Sequence, residues 1–209
     1  MTETRRAAET SKRRNVCVYC GSGTGRNTKY AQAARTLGRD LARAGFGLVY
    51  GGGVLGLMGE VAHAARDAGG YVTGIMPSFL SDRERLAQDI DETIVVQNMH
   101  QRKMLMFEHS VAFVALPGGI GTLEELVEQL TWAQLGQHRR PIVLANVADF
   151  WSPFLALLEH MRSETFIRKE LDVDYTVIDN AADIVSVISE QLRTTGEEKE
   201  RDATITAQF

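Results

Sequence analysis

Leu116-Pro117-Gly118-Gly119-Ile120-Gly121-Thr122-Leu123-Glu124-Glu125 decides how this chain is read. The stretch follows an apolar run, Val111 to Leu116, with the length and composition of a buried strand. It precedes Leu123, Leu126, Val127 and Leu130, whose spacing is that of one helix face. The segment is therefore a strand, a glycine turn and a helix start. Such a junction offers unpaired backbone N–H groups and the positive end of a helix dipole to an anion, commonly a phosphate. Two carboxylates, Glu124 and Glu125, follow within the expected first turn, where a phosphate cradle alone does not need them. The pattern points to chemistry on a nucleotide. A structural role competes with this reading, because Thr122 and Glu125 have the spacing of a capping box, with Thr122 as N-cap. A cap does not call for three glycines in four positions, whereas close approach by a ligand does.

Strand and helix patterns alternate on both sides of this loop. Strands are expected at 15–20, 46–50, 71–76, 93–96, 111–116, 141–145 and 175–177. Helices are expected at about 28–44, from 57 to the Gly69-Gly70 pair, and at 99–109, 122–135, 150–162 and 181–193. Residues 78–91 read as a polar surface loop. Strands separated by helices make a mainly parallel α/β sheet, Rossmann-like and doubly wound, with helices on both faces. One domain is expected over 15–193. A basic tail at 1–14 and a polar tail at 194–209 are both expected to lack fixed structure.

Ligands of such a sheet bind beyond the carboxyl ends of its strands. Three glycine-rich loops fall there: Cys20-Gly21-Ser22-Gly23, Gly51-Gly52-Gly53-Val54-Leu55-Gly56 and the Pro117 loop. The first fails the dinucleotide-binding spacing at its third glycine, and no P-loop string occurs. An ordinary NAD enzyme or NTPase is thus disfavoured. On the helix at 99–109, Arg102 and Lys103 lie beside Met99 and Met106. That placement puts Arg102 at the edge of the core, where its planar fork suits a phosphate or a carboxylate.

The remaining chemistry-bearing residues exclude several functions. A formal net charge of -4 leaves no global basic field for nucleic acid. No apolar run approaches a membrane span, and the basic N-terminus has no apolar segment behind it to make a secretory signal. Cys17 and Cys20 share one expected strand and should face opposite ways, as the reduced thiols of a cytoplasmic protein do. The CxxC lacks the second ligand pair a zinc site needs. His63, His109, His138 and His160 are isolated, and His100 reads as a surface residue.

Three motifs taken in order carry a resemblance. Tyr50-Gly51-Gly52-Gly53-x-x-Gly56-Leu57-Met58-Gly59, Met99-His100-Gln101-Arg102-Lys103 and Pro117-Gly118-Gly119-x-Gly121-Thr122-x-x-Glu125 together resemble the LONELY GUY (LOG) family. Its members are cytokinin riboside 5′-monophosphate phosphoribohydrolases, many of them labelled lysine decarboxylase-like. The resemblance runs from about Val16 to Leu192. It implies a homodimer that cleaves the N-glycosidic bond of a nucleoside monophosphate, giving an adenine-type base and ribose 5-phosphate with no metal or organic cofactor. It places catalysis on Arg102, Glu125 and Glu124. Substrate binding falls on Glu84, Lys103, Thr131 and the loop residues Gly118, Gly119, Ile120, Gly121 and Thr122. Gly21, Ser22, Gly52, Gly53 and Met99 complete the candidate rim. Ile120 stands where plant members frequently have tyrosine, and Ser22-Gly23 replaces a double serine, so the preferred base is left open between plain and prenylated AMP. Two rivals are a non-catalytic nucleotide-binding module of the same fold and a pyridoxal-phosphate decarboxylase. The latter needs a Schiff-base lysine, and of Lys12, Lys29, Lys103, Lys169 and Lys199 only Lys103 has a suggestive setting.

Overall fold

The computed structural model describes residues 13–81, 89–168 and 172–206. Its core is a parallel sheet of seven strands: β1 Asn15–Tyr19, β2 Gly47–Tyr50, β3 Val72–Pro77, β4 Glu92–Val96, β5 Ala112–Ala115, β6 Ile142–Ala145 and β7 Thr176–Ile178. Their order is β4-β3-β2-β1-β5-β6-β7, every pair parallel. Order reverses between β1 and β5, so the crevice for a ligand opens where Tyr19 and Ala115 end, beneath the Gly21 and Pro117 loops. The two loops are tied there by Gly21 N–H donating to the Pro117 carbonyl at 3.1 Å.

Helices α1 Thr28–Arg43, α2 Gly56–Asp67, α3 Ser78–Ser81, α4 Met99–Glu108, α5 Ile120–Gln134, α6 Ser152–Ser163 and α7 Ile184–Thr206 connect or follow the strands. Strand alternation divides the core in two. Val16, Val18, Leu48 and Val114 pack with Leu37 and Leu41 of α1, Val61 and Ala65 of α2 and Ile184 and Ile188 of α7. Cys17, Val49, Ile75 and Phe113 pack on the other face with Met106 of α4 and Leu126 and Leu130 of α5. Cys17 and Cys20 fall in opposite layers, both buried as free thiols. That is the pleat at work, and it removes any CxxC site. Among the described residues, no group of three or more His, Cys, Asp or Glu is placed to hold a metal, and no helix is long and apolar enough to cross a membrane.

Local chemistry explains the helix starts. Asn27 and Asn98 cap α1 and α4 by accepting from the N–H groups of Lys29 and Gln101. α1 and α2 cross closely at Gly38, where an added Cβ would lie 2.2 Å from the Val61 carbonyl oxygen. Gly38→Ala is expected to lower stability by about 3 kcal/mol, because rigid backbone and not a mobile side chain fills that space. Chemical denaturation of the variant measures it.

Three differences from the sequence reading matter more than the one- to three-residue shifts at the other element ends. Residues 78–81 form a helical turn inside the expected loop, and 82–88, with Glu84, lie outside the described residues. The last helix continues to Thr206, well past 193, so 194–206 are helical. Residues 1–12 of the expected basic tail are outside the described set. The third difference, the start of α5, bears on the site.

Candidate active site

α5 begins at Ile120, three residues earlier than the capping-box reading placed it, with Gly119 in place of Thr122 as N-cap and no side-chain cap bond. Thr122 and Glu125 are therefore inside the helix, both buried, and the capping box does not form. The reason is packing. The Thr122 side chain lies over Gly118, where a Cβ would meet Thr122 Oγ1 at 2.1 Å. That contact turns the inward face of α5 to Thr122, Glu125, Leu126, Gln129 and Leu130. Val127, expected in the buried stripe, is exposed.

The glycines of the loop divide by what they serve. Gly118 is required by the fold, through Thr122. Gly119 and Gly121 have nothing within 4 Å of a Cβ position, and neither has a positive φ. Nothing in the protein itself demands glycine there, whereas a ligand brought against the backbone does. The first N–H groups of α5 lack intrahelical partners by construction and face that space. Ile120 stands at the helix start, 81% exposed. The β2–α2 loop closes the rim from the other side. Gly56 backs directly onto the Ser22 carbonyl, and Leu57 N–H donates to Gly21 O at 3.0 Å. Gly52 turns the chain at a φ of 79° that suits glycine, and Gly53 is buried beside it.

Arg102 reaches this rim from α4. Its Nη2 lies 3.6 Å from Glu125 Oε1, and its Nη1 contacts Met99 Sδ at 3.9 Å. Both members of the pair are buried, and Arg102 Nε has no partner among the described residues. Burial pushes the Glu125 carboxyl up to about 7 despite the pull of Arg102, and the charge of Glu124 adds to the rise. A carboxyl raised in this way in a cleft, next to a cation, can gain and lose a proton near neutral pH. Glu124 points the other way. Its side chain is half exposed and is bound by Lys103, which also contacts Glu128 at 2.9 Å.

The structure thus brings together Arg102, Glu125, Met99, Gly118, Gly119, Ile120, Gly121, Thr122, Gly21, Ser22, Gly52 and Gly53, with Lys103 and Glu124 alongside. It leaves Thr131 apart. That residue is exposed, its hydroxyl donates to Val127 O, and it lies about 16 Å along the helix axis from Ile120.

One residue of the site, Gly51, is named in the sequence reading only as part of a loop and not as a site residue. A Cβ on Gly51 would fall 2.3 Å from Arg102 Nη2, so Gly51 is the floor on which the guanidinium rests. Its position just after Tyr50, at a strand end, was the available signal. Gly51→Ala is expected to displace Arg102 and not the backbone. Turnover should fall about 100-fold, while the thermal midpoint moves little; parallel kinetics and melting check both halves.

The chain is similar to known proteins in sequence and in fold. Residues 58–188 match the family described as "Possible lysine decarboxylase". The chain is 49% identical over 160 residues to the cytokinin riboside 5′-monophosphate phosphoribohydrolase LOG of Oryza sativa subsp. japonica, covering 77% of this chain and 66% of that protein. It is 49% identical over 155 residues to the cytokinin riboside 5′-monophosphate phosphoribohydrolase of Rhodococcoides fascians, covering 74% of this chain and 78% of that one. In fold it is similar to the Moco carrier protein of Chlamydomonas reinhardtii, with a TM-score of 0.63 at 23% identity over 87% of this chain and 99% of that one. With its glycine loops and its Arg102–Glu125 pair in one crevice and this degree of identity to those enzymes, the chain belongs to the LOG family.

Proposed function

We propose that this chain hydrolyses the N-glycosidic bond of cytokinin riboside 5′-monophosphates, releasing the free adenine-type base and ribose 5-phosphate. The observation that carries the reading is Glu125, buried beside Arg102 under an open glycine loop, with its carboxyl held near 7. The 5′-phosphate rests on the N-terminal N–H groups of α5, at Gly119, Ile120, Gly121 and Thr122, with the helix dipole favouring the anion. The C1′–N9 bond then breaks with its electron pair leaving on the base, and positive charge grows on the ribose. The Glu125 carboxylate faces that charge, takes a proton from the water that adds to C1′ and passes it to the ring nitrogen of the departing base, which leaves neutral as the carboxylate is restored. Arg102 holds the carboxylate oriented. Glu124, at the exposed edge, is the candidate for the ribose hydroxyls. Every step is met by side chains and backbone of the protein, with no organic cofactor called on.

The competing decarboxylase chemistry needs a lysine free to form a Schiff base. Lys103, the lysine of the rim, is held between two glutamates. The functional unit is read as a homodimer that shares its rim. Met104 on α4 and Val127 and Leu135 on α5 are exposed apolar side chains on neighbouring helices, and a second copy is the natural way to bring Thr131 to a substrate. Chromatographic detection of bases released from AMP, isopentenyladenosine monophosphate and the other nucleoside monophosphates tests the activity. Release of the adenine-type base supports it. Binding of AMP without release assigns the chain instead to a nucleotide-binding module.

A further inference from the structure

Lys103 stands where the family resemblance puts a substrate contact, yet its ammonium is already engaged. It donates to Glu124 and to Glu128, and its side chain is only 12% exposed. Those two carboxylates flank Glu125 on α5, one residue before it and three after. The neighbouring residue on α4, Arg102, pairs with Glu125 itself. Two consecutive cations of α4 therefore meet three carboxylates of α5. Paired at a fully exposed surface, such a bridge contributes little. Here it is half-buried and spans two different helices, so it bears on how they are set against each other.

The other titratable groups facing Glu125 come from β1 and its end: Cys17, Tyr19 and Cys20. Burial pushes all three well up, so they stay neutral at physiological pH. The charge around Glu125 is then carried by Arg102 and Lys103 on one side and Glu124 and Glu128 on the other.

We infer that Lys103 is a positioning residue for Glu125: it ties α4 to α5, keeping Arg102 on the carboxylate, and it keeps the negative charge of Glu124 and Glu128 off the reacting group. This rests on Glu125 being the reacting carboxylate. Loss of Lys103 leaves Glu125 between two uncompensated anions, which disfavours its charged form. Loss of Glu128 has the opposite sign.

The experiment measures kcat and kcat/KM for base release from isopentenyladenosine monophosphate between pH 5 and 9. Wild type, Lys103→Met, Lys103→Arg, Glu128→Gln and Glu125→Gln are compared as full chains. Wild type should lose activity below about pH 7. Lys103→Met should move that limb up by about one pH unit and leave kcat on the plateau above it below the wild-type value, because Arg102 is no longer held on the carboxylate. Lys103→Arg should restore the limb, and Glu128→Gln should move it down. If Lys103→Met raises KM with the limb unmoved, lysine binds substrate and the inference is overturned. Should that variant not fold, the Glu128→Gln shift decides alone, and an unmoved limb there is equally fatal. A Glu125→Gln enzyme that keeps both limb and turnover would sink the functional reading itself, which separates the two failures.

Discussion

Glu125→Gln is expected to lower base release about 1,000-fold at pH 8, because a neutral amide neither faces the ribose charge nor accepts the proton of water. The same substitution should make the protein more stable. Burial raises the folded carboxyl from 4.5 to about 7, so on raising the pH the unfolded chain gives up its proton first. Below about pH 4.5 both states are protonated and the group has no effect on stability. Between 4.5 and 7 it takes stability away progressively, and above 7 the loss is complete, at about 3 kcal/mol. Glutamine mimics the protonated form and escapes this loss. Steady-state kinetics together with urea denaturation at pH 5 and pH 8 check the pair of effects. Equal stability of variant and wild type at pH 8 would mean that Glu125 is not strained in the folded state.

Arg102 gives the second large effect. Arg102→Met should reduce turnover at pH 7 by 100-fold or more, since the carboxylate loses the cation, seated on Gly51, that opposes its protonation and orients it. The single variant leaves Glu125 buried without its partner, which is destabilising at pH values where the carboxyl must ionise. The double variant Arg102→Met/Glu125→Leu removes both charges and should melt at or above the wild-type midpoint, since apolar replacement of a buried pair is commonly neutral or stabilising. It should release no base above the uncatalysed rate. A double variant that is less stable than either single one would show that the pair serves the fold. A stable and inactive protein assigns it to function.

This trade of stability for chemistry is visible in the residues themselves. A buried arginine whose Nε is unpartnered among the described residues and a carboxyl pushed up to about 7 are costly features for a core to carry. They collect at the switch in strand order, the one place where a sheet of this kind opens toward a ligand.

Much of the architecture was legible in the linear pattern. Alternation of short apolar runs with 3.6-period segments specifies a parallel α/β sheet, because parallel strands are buried on both faces and need helical crossovers. The three glycine loops were assignable to one rim for the same reason, since all follow strands that run the same way. Arg102 was placed at the core edge by the two methionines beside it, and the structure finds it buried there. Boundaries that depend on side-chain competition were not legible. The spacing of Thr122 and Glu125 satisfies a capping box, and only the contact of Thr122 with Gly118 shows why α5 starts earlier and turns Glu125 inward.

By itself the sequence determined the class of fold, the rim on which the loops gather and the residue types that serve a nucleotide, because these follow from periodicity and from glycine's freedom, both local properties of the chain. The tertiary structure alone decided which of two adjacent glutamates is buried against Arg102 and which is held by Lys103. It also decided that Gly51 is the seat of the guanidinium and that Thr131 lies away from its own chain's loop. Those outcomes depend on the rotation of α5 about its axis and on its distance from α4. Both are set by contacts between residues far apart in sequence, whose energies no local pattern contains.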